Sequence, residues 1–359
     1  MNRLFFLSLL FFLGNTSEFF AQTEPLWDNT TKNKPSQELQ EVEIISSTDC
    51  KIQKAFVYKT KSKIRKPLIV SLHTWSGDYT QKDPLVNDVM ARDWNYIHPD
   101  FRGANNKPEA TCSTLVLSDI EDAIDFALKH TNADPQEVHI IGVSGGGLAT
   151  LYAYMNIQYP VKSFSAWVPI SDIDAWYWES VGRKQKYADD IVKSVSVDTV
   201  YNREEALRRS PLWQKFPKEK RENSQFYIYT GIHDGYIGSV PITHSINMYN
   251  RLVGDLKYNT SNLDDIMKKA NSDSDLISEK KVIDLVTKRM NPLHKVNSVI
   301  FNRPVHLTRQ YQNIRLTVFE GGHEQIPQAL ALLPHSYIAS TKYNILTIGD
   351  SNGQNKGGW

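Results

Sequence analysis

Cysteine is nearly absent: Cys50 and Cys112 are the only two in 359 residues. Neither has a zinc-ligand spacing, and no HExxH or calcium-loop pattern occurs, so no metal centre and no cofactor are expected. In an exported chain the pair could be joined, stapling an early strand to a loop, or both could remain buried thiols. An excess of one charge is also missing. Lysine and arginine number 41 against 40 acidic residues, a formal net charge of +1. That balance gives no general attraction for nucleic acid or an anionic membrane. There is no internal repeat, and low complexity is confined to NSDSD at 271–275. The amino-terminal apolar run, Leu4 to Leu13 broken only by Ser8, is too short to span a bilayer. Behind Arg3 it fits the apolar region of a signal peptide covering 1–21, with cleavage after Ala21 although Phe19 occupies a site where a small residue is preferred. No cysteine follows the run closely, so no lipid anchor is expected. The expected location is secreted or periplasmic.

What is present is an ordinary globular composition, 40% hydrophobic and 23% charged, sufficient for a sizeable core. A polar arm over 22–40 leads into a catalytic-sized domain over 41–340. Short apolar runs there alternate with helical ones. KPLIVSLH (66–73), WNYIHPD (94–100), EVHIIGV (137–143), SFSAWVPI (163–170), QFYIYTG (225–231) and IRLTVF (314–319) read as strands. LSDIEDAIDFAL (117–128) and LATLYAYMNI (148–157) read as helices, the first with Ile120, Ala123, Ile124 and Ala127 on one face. Buried strands separated by helices imply an α/β fold with a mostly parallel sheet covered on both faces. Residues 172–224 and 254–300 interrupt the rhythm and read as insertions.

The chemistry-bearing stretch is HIIGVSGGGLATLY (139–152). Gly142-Val143-Ser144-Gly145-Gly146 matches G-x-S-x-G between a strand and a helix, the context in which a sharp turn lifts a serine hydroxyl above the sheet edge. A serine needs a base, and the base an orienting acid. In chain order Asp234 follows one later strand and His323 the last clear one. Asp172 and Asp174, beyond another strand end, are alternative acids, and His233 is expected to be a bystander. An oxyanion needs two backbone N–H donors: one from Gly145, the other from the loop in LIVSLHTWSGD, at Trp75 or alternatively Thr74. His73 is expected to support that loop.

Together, SLHTWSG, PDFRGANNKPEATCS, GVSGGG, GIHDGYIGSVP and FEGGHE resemble an α/β-hydrolase, most similar to the secreted branch near prolyl oligopeptidases and acetyl-xylan-type esterases. The resemblance runs from about Glu41 to His335. It implies hydrolysis of an ester or amide, and the peptidases' amino-terminal propeller is expected to be absent. In that branch the DFRG motif (100–103) shapes the loop beside the nucleophile. The insertion opens with DAWYWES, so Trp176 and Trp178, with Trp75, are expected to stack on substrate rings. The tail, 341–359, carries Gly349-Asp350-Ser351 and resembles the first block of an SGNH (GDSL-type) esterase, without the later Asp-x-x-His block. Paired esterase modules on an exported chain lead to the expectation of a serine esterase deacylating plant or algal polysaccharide, its partner an acylated oligo- or polysaccharide bearing acetyl or feruloyl groups. The alternatives are a prolyl-oligopeptidase-like serine peptidase on short peptides and a catalytically silent carbohydrate-binding protein.

Overall fold

A computed structural model describes residues 35–196, 199–290 and 298–334. The segment read as a signal peptide, most of the polar arm and the tail with Ser351 lie outside the described residues. The strands are β1 Gln40–Ile45, β2 Ile52–Tyr58, β3 Lys66–Leu72, β4 Asn95–Pro99, β5 Ala133–Val143, β6 Ser163–Trp167, β7 Gln225–Gly231, β8 Val299–Ile300, β9 Arg303–Tyr311 and β10 Ile314–Phe319. The helices are α1 Leu85–Arg92, α2 Thr114–His130, α3 Gly145–Asn156, α4 Ile173–Gly182, α5 Tyr187–Val195, α6 Arg203–Arg209, α7 Lys218–Arg221, α8 Thr243–Tyr258, α9 Leu263–Ala270 and α10 Glu279–Arg289.

The strands form one sheet in the order β1-β2-β4-β3-β5-β6-β7-β10-β9-β8. From β4 to β10 every neighbouring pair is parallel, while β1, β2, β9 and β8 are antiparallel edges. This is the α/β-hydrolase arrangement. The central strands are covered on both faces: β4 and β6 are buried at every position.

The helix over α2 begins where Ser113 Oγ accepts the Val116 N–H, and its buried face is Val116, Ile120, Ala123, Ile124 and Ala127. Helix α3 is buried from Gly145 through Met155, on all sides. Small residues at its start make that possible: a Cβ on Gly146 would overlap the Leu72 carbonyl of β3. The helix therefore starts hard against the sheet, directly behind Ser144. Arg221, itself buried, closes its far end by donating to the Tyr154 and Ile157 carbonyls at 2.5 and 2.6 Å.

Strands β8 and β9 were not expected. In β9 only Val305 and Leu307 are buried, and Pro304, Arg303 and Arg309 dilute the apolar signal of a strand near the sheet edge. It is joined to β10 through Gln312 and Asn313, with Gln312 at φ 50°. Among its described residues, the insertion between β6 and β7 holds α4 to α7 and no strand. Cys50 is exposed and Cys112 buried, and both are free thiols.

Candidate active site

The parallel strands all point the same way, so their carboxyl ends deliver residues to one edge of the sheet. Ser144 follows β5, Asp234 follows β7 and His323 follows β10. Ser144 lies at φ 58° and ψ −115°, a conformation that costs a side-chain-bearing residue strain. Its N–H donates to the Trp167 carbonyl of β6 at 2.9 Å, which fixes the turn to the sheet. The strained turn sets the serine at the amino end of α3, whose first N–H groups have no partner within the helix.

His323 Nδ1 donates to Asp234 Oδ2 at 2.9 Å, and the Asp234 side chain is wholly shielded from solvent. Its other oxygen, Oδ1, accepts the Gly235 and Val240 N–H groups at 2.9 and 3.1 Å. Both carboxylate oxygens are therefore engaged, and the ring they hold turns Nε2 away from the acid.

Asp172 and Asp174 are committed elsewhere. Asp172 caps α4, taking the Asp174 and Ala175 N–H groups on Oδ1 and the Trp213 indole N–H on Oδ2 at 2.9 Å. Asp174 accepts the Tyr201 hydroxyl and Arg203 Nε at 2.6 and 3.0 Å. His233 points to Glu320, with Nε2 to Oε1 at 2.5 Å, while His306 reaches the other oxygen at 2.8 Å.

At the oxyanion position expected from the sequence, the Cα of Gly145 faces the Trp75 amide so closely that any Cβ there would overlap the Trp75 nitrogen. The Thr74 N–H is consumed by Gln81 Oε1 at 2.9 Å, which leaves the Trp75 amide as the loop's available donor. Gln81 was not singled out in the sequence; it sits in a polar stretch without any motif. His73 stacks on Phe101 at 3.9 Å between centroids, and its ring nitrogens face the carbonyls of Thr74 and Asp100. It braces the loop. In the DFRG turn, Arg102 spans two carboxylates: Nε and Nη2 reach Asp119 at 2.6 and 2.9 Å, and Nη1 and Nη2 reach Asp49 at 2.7 and 3.0 Å.

The expected aromatic platform is not formed. Trp75 and Trp176 are only 2% and 0% exposed and pack edge-to-face against each other at 4.7 Å, with Tyr187 beside both. Trp176 also spends its indole N–H on the Ser239 carbonyl at 2.8 Å. Neither ring has a face left for a substrate. Trp178 is 58% exposed, but two residues along a helix is about 200° of rotation. It therefore points away from the Trp176 side that braces the Asp234 loop, and its ring neighbours are Tyr177 and Tyr201. These large aromatics serve the insertion's own packing.

Two further side chains tie the insertion to the site. Arg183 donates to the Gly235 and Ser239 carbonyls at 3.2 and 2.9 Å, and Lys186 Nζ to Ser76 Oγ at 2.6 Å. Among the described residues, no group of three or more His, Cys, Asp or Glu side chains is placed to hold a metal ion.

Residues 88–271, which carry Ser144 and Asp234, match the model of the prolyl oligopeptidase family. The chain belongs to the prolyl oligopeptidase family. No curated protein matches the sequence. Among solved structures, this prolyl oligopeptidase family chain is similar to the acylaminoacyl peptidase of Pyrococcus horikoshii, 18% identical with a TM-score of 0.45 over 59% of this chain and 34% of that one. It is similar as well to prolyl oligopeptidase B from Galerina marginata, 16% identical with a TM-score of 0.49 over 63% and 32%, and to a puromycin-hydrolyzing peptidase of Mycobacterium tuberculosis, 16% identical with a TM-score of 0.45 over 60% and 34%. The chain thus spans about a third of the length of these proteins. Membership of this family overturns the expectation of a polysaccharide-directed esterase, and the burial of Trp75 and Trp176 removes the sugar-stacking surface on which that expectation leaned.

Proposed function

We propose that the chain is a serine peptidase that hydrolyses amide bonds in short peptides. The observation that carries the reading is the Asp234–His323 hydrogen bond, formed at the same carboxyl edge of the sheet as a strained serine turn, in a chain that matches the prolyl oligopeptidase family. Ser144 Oγ attacks the scissile carbonyl carbon while His323 Nε2 takes its proton. Asp234 keeps the ring in the tautomer with hydrogen on Nδ1 and stabilises the imidazolium that forms. The oxyanion is met by the Trp75 and Gly145 N–H groups, preorganised donors that gain strength as charge develops. Collapse breaks the C–N bond, and His323 returns the proton to the departing amine. Water, deprotonated by the same imidazole, then attacks the acyl carbon; the C–Oγ bond breaks, and the imidazolium returns the proton to Ser144 Oγ.

The test is a pair of assays on one preparation, a peptidyl-nitroanilide beside p-nitrophenyl acetate, with fluorophosphonate labelling of Ser144 as the measure of active sites. The expected result is labelling together with nitroanilide hydrolysis that Ser144→Ala abolishes. Labelling and ester turnover with no amide cleaved, across a panel of peptides, would reject the reading.

A further inference from the structure

We infer that Arg289, with Tyr236 and Ile237, forms a subsite for the departing half of the peptide and selects substrates whose departing half ends in a free carboxylate. The inference rests on the peptidase reading above. His323 must protonate the leaving amine, so the departing fragment lies on the His323 side of the site. That side is walled by the loop after Asp234. A Cβ on Gly238 would overlap both Asp234 Oδ1 and the His323 side chain, and Ile237 Cδ1 would lie 3.5 Å from a Cβ on Gly322. The loop is pinned at its base, where the Tyr236 and Ile237 N–H groups both donate to the His233 carbonyl at 3.1 Å.

On this fixed loop two large side chains are left open, Tyr236 at 71% and Ile237 at 55% exposure. Apolar surface held open beside the Asp234–His323 pair, on a loop that is itself well tied, offers contact to a ligand rather than to the core. Over the Tyr236 ring stands the Arg289 guanidinium, its Cζ 4.7 Å from the ring centroid. Arg289 ends α10. On the same helix Lys281 and Lys288 share Asp284 at 2.9 and 3.2 Å, whereas Arg289 has no ion pair among the described residues. An unneutralised guanidinium oriented by a ring presents a planar pair of donors, the geometry that fits a carboxylate. The departing residues would lie along Tyr236 and Ile237 and place their terminal carboxylate on Arg289. A peptide ending in a carboxamide has the same apolar contacts and lacks the charge.

The experiment uses internally quenched peptides without acidic side chains, each made as the free acid and as the carboxamide, with one to four residues after the scissile bond. The expected result is a kcat/KM for the best free acid about tenfold above its amide, carried mainly in KM and shrinking as salt rises from about 0.05 to about 0.5 M. In Arg289→Gln the acid-to-amide ratio falls to about one, and in Arg289→Lys it is intermediate, because a point charge replaces the fork. A ratio near one in the wild type, or a ratio unchanged in Arg289→Gln, overturns the subsite and leaves the peptidase reading standing. Fluorophosphonate labelling of Ser144 with none of these peptides cleaved overturns the peptidase reading and the subsite with it.

Discussion

On the proposed mechanism three side chains and two backbone amides set what the site can do, and the side chains have distinguishable failures. Ser144→Ala and His323→Ala should each lower turnover by about 10⁴-fold or more with the melting temperature unchanged, since triad members act as a unit and neither change opens the core. Asp234→Asn should cost about 10⁴-fold, because an amide no longer holds the productive tautomer. Asp172→Ala should do the reverse: turnover persists, while urea unfolding shows a loss of about 1–2 kcal/mol as α4 loses its cap. The order Ser144, Asp234, His323 could be read from the sequence because each residue follows a recognisable strand. What holds them could not. Gln81, which occupies the Thr74 amide, and Arg183, which grips the Asp234 loop, are single polar residues in unpatterned stretches, and only three-dimensional proximity gives them meaning. The aromatic run misled for a related reason: composition counts rings but does not say which way a helix turns them.

Elements with a continuous apolar run were legible; among those of mixed character, β9 was not. Strands β3 to β7 and β10 carry their own signal, since burial on both faces favours apolar residues, and polar ones among them such as Asn95, His98 and Ser163 are buried as well. Strand β9 was hidden because an edge-proximal strand buries alternate residues only, here Val305 and Leu307. The insertion helices depend on charge as much as on burial. In α6, Glu205 accepts from Arg208 Nε and Nη2 at 2.7 and 2.6 Å and from Arg209 Nε at 2.6 Å. Chiefly through the Arg208 hydrogen bonds, its carboxyl is held down from 4.5 to about 2. A carboxyl depressed in the folded state contributes stability that is complete above the ordinary value and is lost as pH falls through the folded one. The gap in urea midpoint between wild type and Glu205→Gln should therefore be constant from about pH 7 to about pH 5 and close between 4.5 and about 2.

At the scale of the molecule, one guanidinium joins the amino-terminal edge of the sheet to its covering layer. Arg102 follows β4, Asp49 lies in the β1–β2 turn and Asp119 on α2, and Ser46 Oγ accepts from the same side chain at 2.9 Å. Asp119 is fully buried, so Arg102→Leu leaves a carboxylate without its cation. The expected loss is about 3–5 kcal/mol by chemical denaturation, with kcat/KM for the residual folded enzyme little changed.

The short turn from Arg183 to Lys186 has a different kind of consequence. It fastens the loop bearing the acid with one residue and the loop bearing the oxyanion donor with another, and its own support comes from helices lying over the sheet, not within it. Heat should reach such a peripheral clasp before it reaches the ten-stranded centre. On warming, this molecule should fall silent while still folded: the midpoint for loss of turnover should lie below the midpoint of the far-ultraviolet dichroism, and brief cooling should restore the activity without any refolding of the sheet.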